Sequence, residues 1–333
     1  MSDVIERTIA AKAADNVQTV AKMIADAVAV KKPLESFPPQ KIREIEETSG
    51  NYFEPPARDL FSITDEVVPK IIAPKTAEVR ESDIPVRIYT PKAKAEVSPA
   101  LVYFHGGGFV IGSINTHDLV CQNLAAESGY IIISVGYSLA PEAKYPEPGN
   151  DAMMAFQWVQ ANAERLGIDV NNIAVGGDSA GGNLAAVLCL RCRDEGLQAP
   201  AAQLLWYPVT DCSNETQSRK DYGDGYFLTS STMRWFLEQY LDDPSQATNP
   251  HVSPLRATDL SGLPPALVIT AGYDVLRDEG YQYADKLQAA GVVASHTCYN
   301  GMIHGFISFS GGIPDGVEAI KESARFLQRT MGA

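Results

Sequence analysis

Short apolar runs alternate with segments of helical periodicity from about residue 64 onward, and this alternation constrains the fold most. The apolar runs are nearly continuous, as in strands buried on both faces. Such strands, separated by helices, are typical of a mostly parallel sheet covered by helices on each side. We therefore predict strands at 84–90, 100–104, 130–137, 173–177, 201–208, 264–272 and 293–299, and helices at 118–128, 151–167, 180–196, 276–291 and 316–330.

Residues 209–250 interrupt this alternation. They contain one helical pattern and no convincing strand, and an excursion of that length is typical of a functional lid or of disorder. Their many aromatic residues favour a lid. Residues 1–50 also show helical periodicity. We therefore predict a helical cap built from 1–50 and 209–250, over an α/β domain built from 51–208 and 251–333.

Composition limits the partners and the compartment. The 333 residues carry a net charge of −14, which argues against nucleic acid or an anionic membrane surface as a partner. We find no secretory signal, and no segment approaches the roughly 18 apolar residues of a membrane span. The odd number of five cysteines predicts a reducing, cytoplasmic location. Cys189 and Cys192 lie in a helical pattern, so we expect them to pack in the core.

The run Gly177-Asp178-Ser179-Ala180-Gly181 matches the pattern G-x-S-x-G. This pattern forms a sharp strand-to-helix turn when a strand precedes it and a helix follows it, and the predicted elements supply both. Side chains at Gly177 and Gly181 would collide with neighbouring backbone in such a turn. The turn exposes the hydroxyl of its central residue, so Ser179 is predicted to be a nucleophile. The alternative is a phosphate-binding turn, but a P-loop lysine is missing.

A serine hydroxyl needs a general base, and the chain has five histidines. His304 follows the last predicted strand, at a position from which it can reach Ser179. Asp274 lies just beyond the strand at 264–272 and can orient His304, whereas Asp278 and Glu279 fall inside the next helix. The order Ser179, Asp274, His304 is the order of the catalytic triad in an α/β-hydrolase.

A second glycine block, His105-Gly106-Gly107-Gly108, directly follows the strand at 100–104. Attack on a carbonyl creates an oxyanion, which preorganised backbone N–H groups stabilise. Glycines let the backbone approach that oxyanion closely. We expect the N–H groups of Gly107, Gly108 and Ala180 to form the oxyanion hole, and His105 to make a structural hydrogen bond there.

These blocks together resemble the hormone-sensitive-lipase-like branch of the α/β-hydrolases, and its bacterial carboxylesterases in particular. The blocks are HGGGF, GDSAGG, DVLRDEG and HGF, and residues 137–142, YSLAPE, resemble the family's YRLAPE with serine in place of arginine. Asp274-Val275 also departs from the commoner Asp-Pro. The resemblance covers about 65–330. It implies an eight-stranded, mostly parallel sheet with a helical cap.

The same resemblance implies hydrolysis of short- to medium-chain carboxylic esters through an acyl-enzyme, without metal or cofactor. An amidase or a lipase could use the same triad, although an acidic chain without an interfacial apolar segment argues against a lipase. Plant hormone receptors of this family bind a small molecule and have a broken triad, whereas Ser179, Asp274 and His304 are all present here. The expected partner is a small-molecule ester, and a homodimer is compatible with the sequence.

The loop that precedes the helical pattern of residues 209–250 is predicted to line the acyl pocket. Tyr226, Phe227 and Leu228 follow a glycine in this loop, where bulky apolar side chains have no helix of their own to pack on. Trp235, Phe236 and Tyr240 recur at helical spacing instead. We expect Trp235 and Tyr240 to pack the cap against the α/β domain.

Overall fold

A computed structural model describes residues 7–8, 33–49, 54–70, 83–92 and 95–332 of the chain. These residues form one sheet in the strand order β1-β9-β8-β7-β6-β4-β5-β3-β2. The strands are β1 (Arg7–Thr8), β2 (Ser62–Val68), β3 (Ile84–Thr90), β4 (Ser98–Phe104), β5 (Ile131–Val135), β6 (Ile168–Asp178), β7 (Gln203–Trp206), β8 (Ala266–Tyr273) and β9 (Ala294–Ile303).

The sheet is mostly parallel. Strand β3 runs antiparallel to both β2 and β5, whereas β5, β4, β6, β7, β8, β9 and β1 pair in parallel in that spatial order. Parallel strands place their carboxyl ends at one edge of the sheet, where ligands bind in open α/β folds. The residues that follow β4, β6, β8 and β9 therefore share one edge.

Nine α-helices occur among the described residues, together with 3₁₀ helices at Leu34–Ser36, Asn115–His117, Pro244–Thr248 and Pro254–Arg256. The α-helices are α1 (Pro39–Ser49), α2 (Asp118–Ser128), α3 (Glu147–Ala161), α4 (Ala163–Leu166), α5 (Ala180–Asp194), α6 (Gln217–Asp221), α7 (Ser230–Tyr240), α8 (Arg277–Ala289) and α9 (Pro314–Met331).

The core has one half on each face of the sheet. Successive side chains of a strand point to opposite faces, and Leu101 and Tyr103 of β4 belong to one hydrophobic cluster while Val102 and Phe104 belong to the other. Helices α2 and α9 contribute to the Leu101 cluster, and α3, α5 and α8 to the Val102 cluster. Both faces of β4 are buried, which explains its uninterrupted apolar sequence.

The structure confirms the seven predicted strands and corrects the reading of residues 1–50. Arg7–Thr8 is a strand that pairs with Thr297 and Cys298 of β9, so these two residues extend the sheet and are not helical. Residues 9–32 lie outside the described residues, and Pro39–Ser49 is helical as expected. The sheet thus has eight strands of four or more residues and a two-residue ninth strand. Strand β2 was not among the predicted strands.

Residues 209–250 contain no strand, as predicted, but they hold two α-helices, α6 and α7, and a 3₁₀ helix where the sequence showed one helical pattern. Helix α7 contacts the 3₁₀ turn Leu34–Ser36, and Thr232 Oγ1 lies 3.3 Å from Glu35 Oε2. At its other end, Tyr240 stacks on Phe109 with ring centroids 4.0 Å apart. The two predicted cap segments therefore meet each other, and α7 packs on the loop that follows β4.

Candidate active site

Ser179 lies between the end of β6 and the start of α5, in a strained turn. Its φ of 54° and ψ of −116° are unusual for a residue other than glycine. The turn is fixed from outside, because Ser179 N donates a hydrogen bond to Trp206 O at 2.8 Å and Ser179 O accepts one from Val209 N at 3.1 Å. Ser179 is thus held at the carboxyl edge of the sheet, at the amino end of a helix.

The glycines on both sides of Ser179 occupy positions where a side chain would collide with neighbouring backbone. A Cβ on Gly177 would come within 2.2 Å of Phe104 O, and a Cβ on Gly181 within 1.9 Å of the same oxygen. The strand-to-helix turn therefore packs directly against the backbone at the end of β4. This close approach confirms the reason that the sequence suggested for these two glycines.

His304 bridges Ser179 and Asp274. Its Nε2 lies 3.0 Å from Ser179 Oγ, and its Nδ1 lies 2.8 Å from Asp274 Oδ2. The other carboxylate oxygen of Asp274 accepts a hydrogen bond from Leu276 N at 2.9 Å. All three side chains are buried. The three residues singled out in the sequence thus form one chain of hydrogen bonds, with the geometry of a nucleophile, a base and an orienting carboxylate.

Asp278 and Glu279, the acidic residues that follow Asp274, contact helix α6. Asp278 accepts a hydrogen bond from Ser218 N at 2.7 Å, and the buried Glu279 pairs with Arg219 at 2.8 Å. Ser218 and Arg219 belong to α6, so both carboxylates fasten this helix to α8.

The glycine loop after β4 is bound to the turn of Ser179, since Gly106 N donates a hydrogen bond to Asp178 Oδ1 at 2.8 Å. Gly107 and Gly108 have φ values of 111° and 60°, and Gly107 O accepts hydrogen bonds from Val110 N and Ile111 N. Ala180 is the first residue of α5, where helix N–H groups have no intrahelical acceptor. Backbone N–H groups of this kind can stabilise an oxyanion that forms on a substrate bound at Ser179.

His105 is buried and takes no part in the chain of hydrogen bonds to Ser179. Its Nδ1 lies 2.7 Å from Gly106 O, and its ring stacks on Tyr137 at 4.3 Å. Burial, reinforced by the neighbouring His117, lowers the pKa of His105 to about 3, so its imidazole is neutral at any working pH. This agrees with the structural role predicted for it.

The three predicted pocket residues have different surroundings. The side chain of Phe227 is 45% exposed, packs edge-on against Phe309 at 5.3 Å and lies beside Gly305, the residue after His304. Tyr226 stacks on Tyr273, the residue before Asp274, at 5.4 Å. Leu228 is buried in a core cluster. Phe227 and Tyr226 therefore lie beside the triad loops, while Leu228 belongs to the packing of the cap.

Phe236 was missed as a candidate site residue. A Cβ on Gly108 would come within 2.2 Å of the Phe236 ring, so this α7 side chain covers the glycine loop. The helical spacing of Trp235, Phe236 and Tyr240 indicated only that the three are amphipathic neighbours. The missing signal is the tertiary contact with Gly108, which no local pattern encodes.

Within the described ranges, no group of three or more His, Cys, Asp or Glu side chains could hold a metal ion. In the same ranges, no helix is long and apolar enough to cross a membrane.

Comparison with known proteins places this site in a family. Residues 101–308 match the family model described as the alpha/beta hydrolase fold. The chain is 40% identical over 249 residues to ethyl acetate hydrolase of Pseudomonas putida, covering 74% of this chain and 78% of that protein. It is 39% identical over 231 residues to an arylesterase of Saccharolobus solfataricus, covering 69% and 75% of the two chains.

A solved structure of similar shape is an ester hydrolase from the metagenome of Lake Arreo, in complex with a derivative of bipyridine phosphonate. Its TM-score is 0.88 at 40% sequence identity, with 98% of this chain and 100% of that chain covered. The chain therefore belongs to the α/β-hydrolase family, in the hormone-sensitive-lipase-like branch that its four sequence blocks indicated.

Proposed function

We propose that this carboxylic ester hydrolase acts through an acyl-enzyme on Ser179, with His304 as the general base and Asp274 as its orienting carboxylate. The observation that carries the proposal is the continuous chain of hydrogen bonds from Ser179 Oγ through His304 to Asp274. A single chain supplies all three residues, so the proposal does not depend on whether the protein is a monomer or a homodimer. Sedimentation distinguishes these two states.

Ser179 Oγ attacks the carbonyl carbon of the ester while His304 Nε2 takes the hydroxyl proton. Asp274 holds the proton on Nδ1, so that Nε2 is the free acceptor, and stabilises the imidazolium that forms. The N–H groups of Gly107, Gly108 and Ala180 stabilise the oxyanion. The alcohol leaves with the proton from His304, and water then repeats the sequence on the acyl-enzyme to release the acid.

The substrates are short- to medium-chain carboxylic esters. Phe236 covers Gly108, and Phe227 lies beside Gly305, so aromatic side chains from the 209–250 segment lie on two sides of the triad. An acyl chain gains about 0.8 kcal/mol for each methylene that it buries against such rings. None of the five cysteines, all of which are described, is part of a disulfide, which supports the proposed cytoplasmic location.

The test is p-nitrophenyl butyrate turnover by a Ser179→Ala variant. Loss of the nucleophilic oxygen lowers kcat by about a million-fold in triad hydrolases. The matched control is Ser323→Ala, because Ser323 is a buried serine on α9 that only bonds Trp206 Nε1 and Ala319 O. Substantial residual turnover by a folded Ser179→Ala variant would overturn the proposal.

A further inference from the structure

Asp178, the residue before Ser179, is a buried carboxylate outside the triad. Its Oδ1 accepts hydrogen bonds from Gly106 N at 2.8 Å and from the Tyr103 hydroxyl at 2.7 Å. Burying a carboxylate is costly unless it is paired and hydrogen-bonded. Because one of these hydrogen bonds comes from the backbone of the glycine loop, the carboxylate connects the turn of Ser179 to that loop.

Gly106 is shaped to receive this carboxylate. A Cβ at Gly106 would lie 2.3 Å from Asp178 Oδ2, so any other residue would push the carboxylate off the loop. Gly107 and Gly108, in contrast, have positive φ values. Gly106 therefore differs from the two glycines that follow it: the absence of a side chain at Gly106 lets the loop pack against Asp178.

His117 contacts Asp178 through one imidazole nitrogen. Its Nε2 lies 3.3 Å from Asp178 Oδ1 and 3.4 Å from Oδ2, and its Nδ1 lies 2.9 Å from Thr116 Oγ1. The ring is buried, and its centroid lies 5.6 Å from that of His105, the first residue of the glycine block. The pair therefore lies next to the start of this block, and His117 is held through both of its imidazole nitrogens.

Four titratable groups face His117. They are Asp178 at the end of β6, Glu46 on α1, Tyr103 on β4 with ring centroids 6.3 Å away, and His105 after β4 at 5.6 Å. Glu46 also accepts a hydrogen bond from Gly112 N at 3.1 Å, so α1 holds the far end of the same loop.

These neighbours favour a charged pair. Burial lowers the pKa of His117, but the carboxylates of Asp178 and Glu46 outweigh burial and raise it above its ordinary value. Burial raises the pKa of Asp178, but His117 and the hydrogen bond from Tyr103 outweigh burial and lower it. Burial also raises the pKa of Tyr103, which keeps its hydroxyl a neutral donor.

We propose that Asp178 and protonated His117 are a positioning pair for ester hydrolysis. Asp178 fixes Gly106, so that the following N–H groups of Gly107 and Gly108 point at the oxyanion. The negative charge of Asp178 would by itself oppose an oxyanion nearby, and the imidazolium of His117 cancels it. This inference rests on the proposed function, because it needs an oxyanion to form on an ester at Ser179.

The first test removes the anchor. Asp178→Ala frees Gly106, and a misplaced oxyanion hole lowers kcat for p-nitrophenyl butyrate by about 100-fold with little change in KM. The Ki of an alkyl trifluoromethyl ketone, whose adduct with Ser179 carries an oxyanion, rises by a similar factor. The matched control is Asp151→Ala, since Asp151 is also buried, accepts a hydrogen bond from Ser138 N and pairs with Lys70. The Asp151→Ala variant has a changed melting temperature but the Ki of the wild type.

The second test isolates the charge and does not depend on Asp178→Ala folding. His117→Gln leaves the carboxylate unpaired, and kcat falls about tenfold. Adding Asp178→Asn removes that charge while keeping an oxygen for Gly106 N, so the double variant is more active than His117→Gln alone. Effects that simply add, or a double variant that is less active, would overturn the role of the pair.

The pH profile gives an independent readout. His117 loses its proton as the pH rises through its raised pKa, so kcat/KM of the wild type falls at alkaline pH. His117→Gln cannot titrate and lacks this alkaline limb; an unchanged limb in this variant contradicts the inference. If Ser179→Ala abolishes turnover while Asp178→Ala leaves kcat and Ki unchanged, the inference fails and the proposed function stands. Full activity of Ser179→Ala overturns both.

Discussion

Two strands of the sheet, β4 and β9, are each followed directly by a buried histidine and then by a glycine. His304 after β9 lies between Asp274 and Ser179, with a hydrogen-bond partner on each nitrogen. His105 after β4 stacks on Tyr137, and its Nδ1 lies 2.7 Å from the backbone oxygen of Gly106. The two histidines share residue type, burial and position in the fold, yet only one is built as a base.

The difference is in the charged neighbours. Asp274 offers His304 a carboxylate that stabilises a positive imidazole, so His304 can take a proton from Ser179. His105 has no carboxylate partner on its ring nitrogens among the described residues, and burial together with His117 lowers its pKa to about 3. A histidine at a strand end therefore becomes a base through its partner and not through its location.

Exchanging each histidine for a side chain that cannot act as a base tests this comparison with the largest effect. His304→Ala lowers kcat for p-nitrophenyl butyrate by about a million-fold, because no group remains to accept the Ser179 proton. His105→Gln lowers stability by about 1–3 kcal/mol, and kcat changes far less. Equal losses of kcat in two folded variants would erase the distinction between the two histidines.

Removing the charge of the partner sharpens the comparison. Asp274→Asn cannot hold His304 in the tautomer that leaves Nε2 free, and kcat falls by about ten-thousand-fold. Asp278→Asn is the matched control, since Asp278 lies four residues on and bonds Ser218 N. Its kcat stays close to that of the wild type. A greater loss of kcat in Asp278→Asn than in Asp274→Asn would show that Asp274 is not the orienting carboxylate.

The smallest expected effect concerns specificity and leaves the base untouched. Phe227 lies beside Gly305, the residue after His304. Phe227→Ala removes an aromatic ring from this position, so the preferred p-nitrophenyl ester shifts from shorter to longer acyl chains. Each additional methylene that becomes buried contributes about 0.8 kcal/mol of binding free energy. Phe61→Ala is the control, because Phe61 is exposed beside β2. An unchanged chain-length profile in Phe227→Ala would place the acyl pocket elsewhere.

The parts of the site that the sequence predicted are those with local signatures. Ser179 lies in a turn that only a particular glycine spacing permits, and Asp274 and His304 follow recognisable strands. The parallel sheet then brings these strand ends to one edge, so predicting the strands also predicted the meeting of the three residues.

The parts that were missed depend on contacts between distant segments. Asp178 was read only as a variable position of the serine motif, and its bond to Gly106 spans 72 residues. Phe236 was noted only as one member of a helical repeat, because such a repeat does not show its contact with Gly108. Arg7–Thr8 was read as helical, and it pairs with Thr297 and Cys298 at the far end of the chain.

Covalent labelling tests the central claim most directly. A p-nitrophenyl alkylphosphonate reacts with an activated serine, which displaces p-nitrophenolate and keeps the phosphonyl group. Peptide mapping by mass spectrometry of the fully inhibited protein should show one phosphonyl group per chain, on Ser179, and none after the same treatment of His304→Ala. Full inhibition with the label on another residue, or rapid labelling of His304→Ala, would contradict the account.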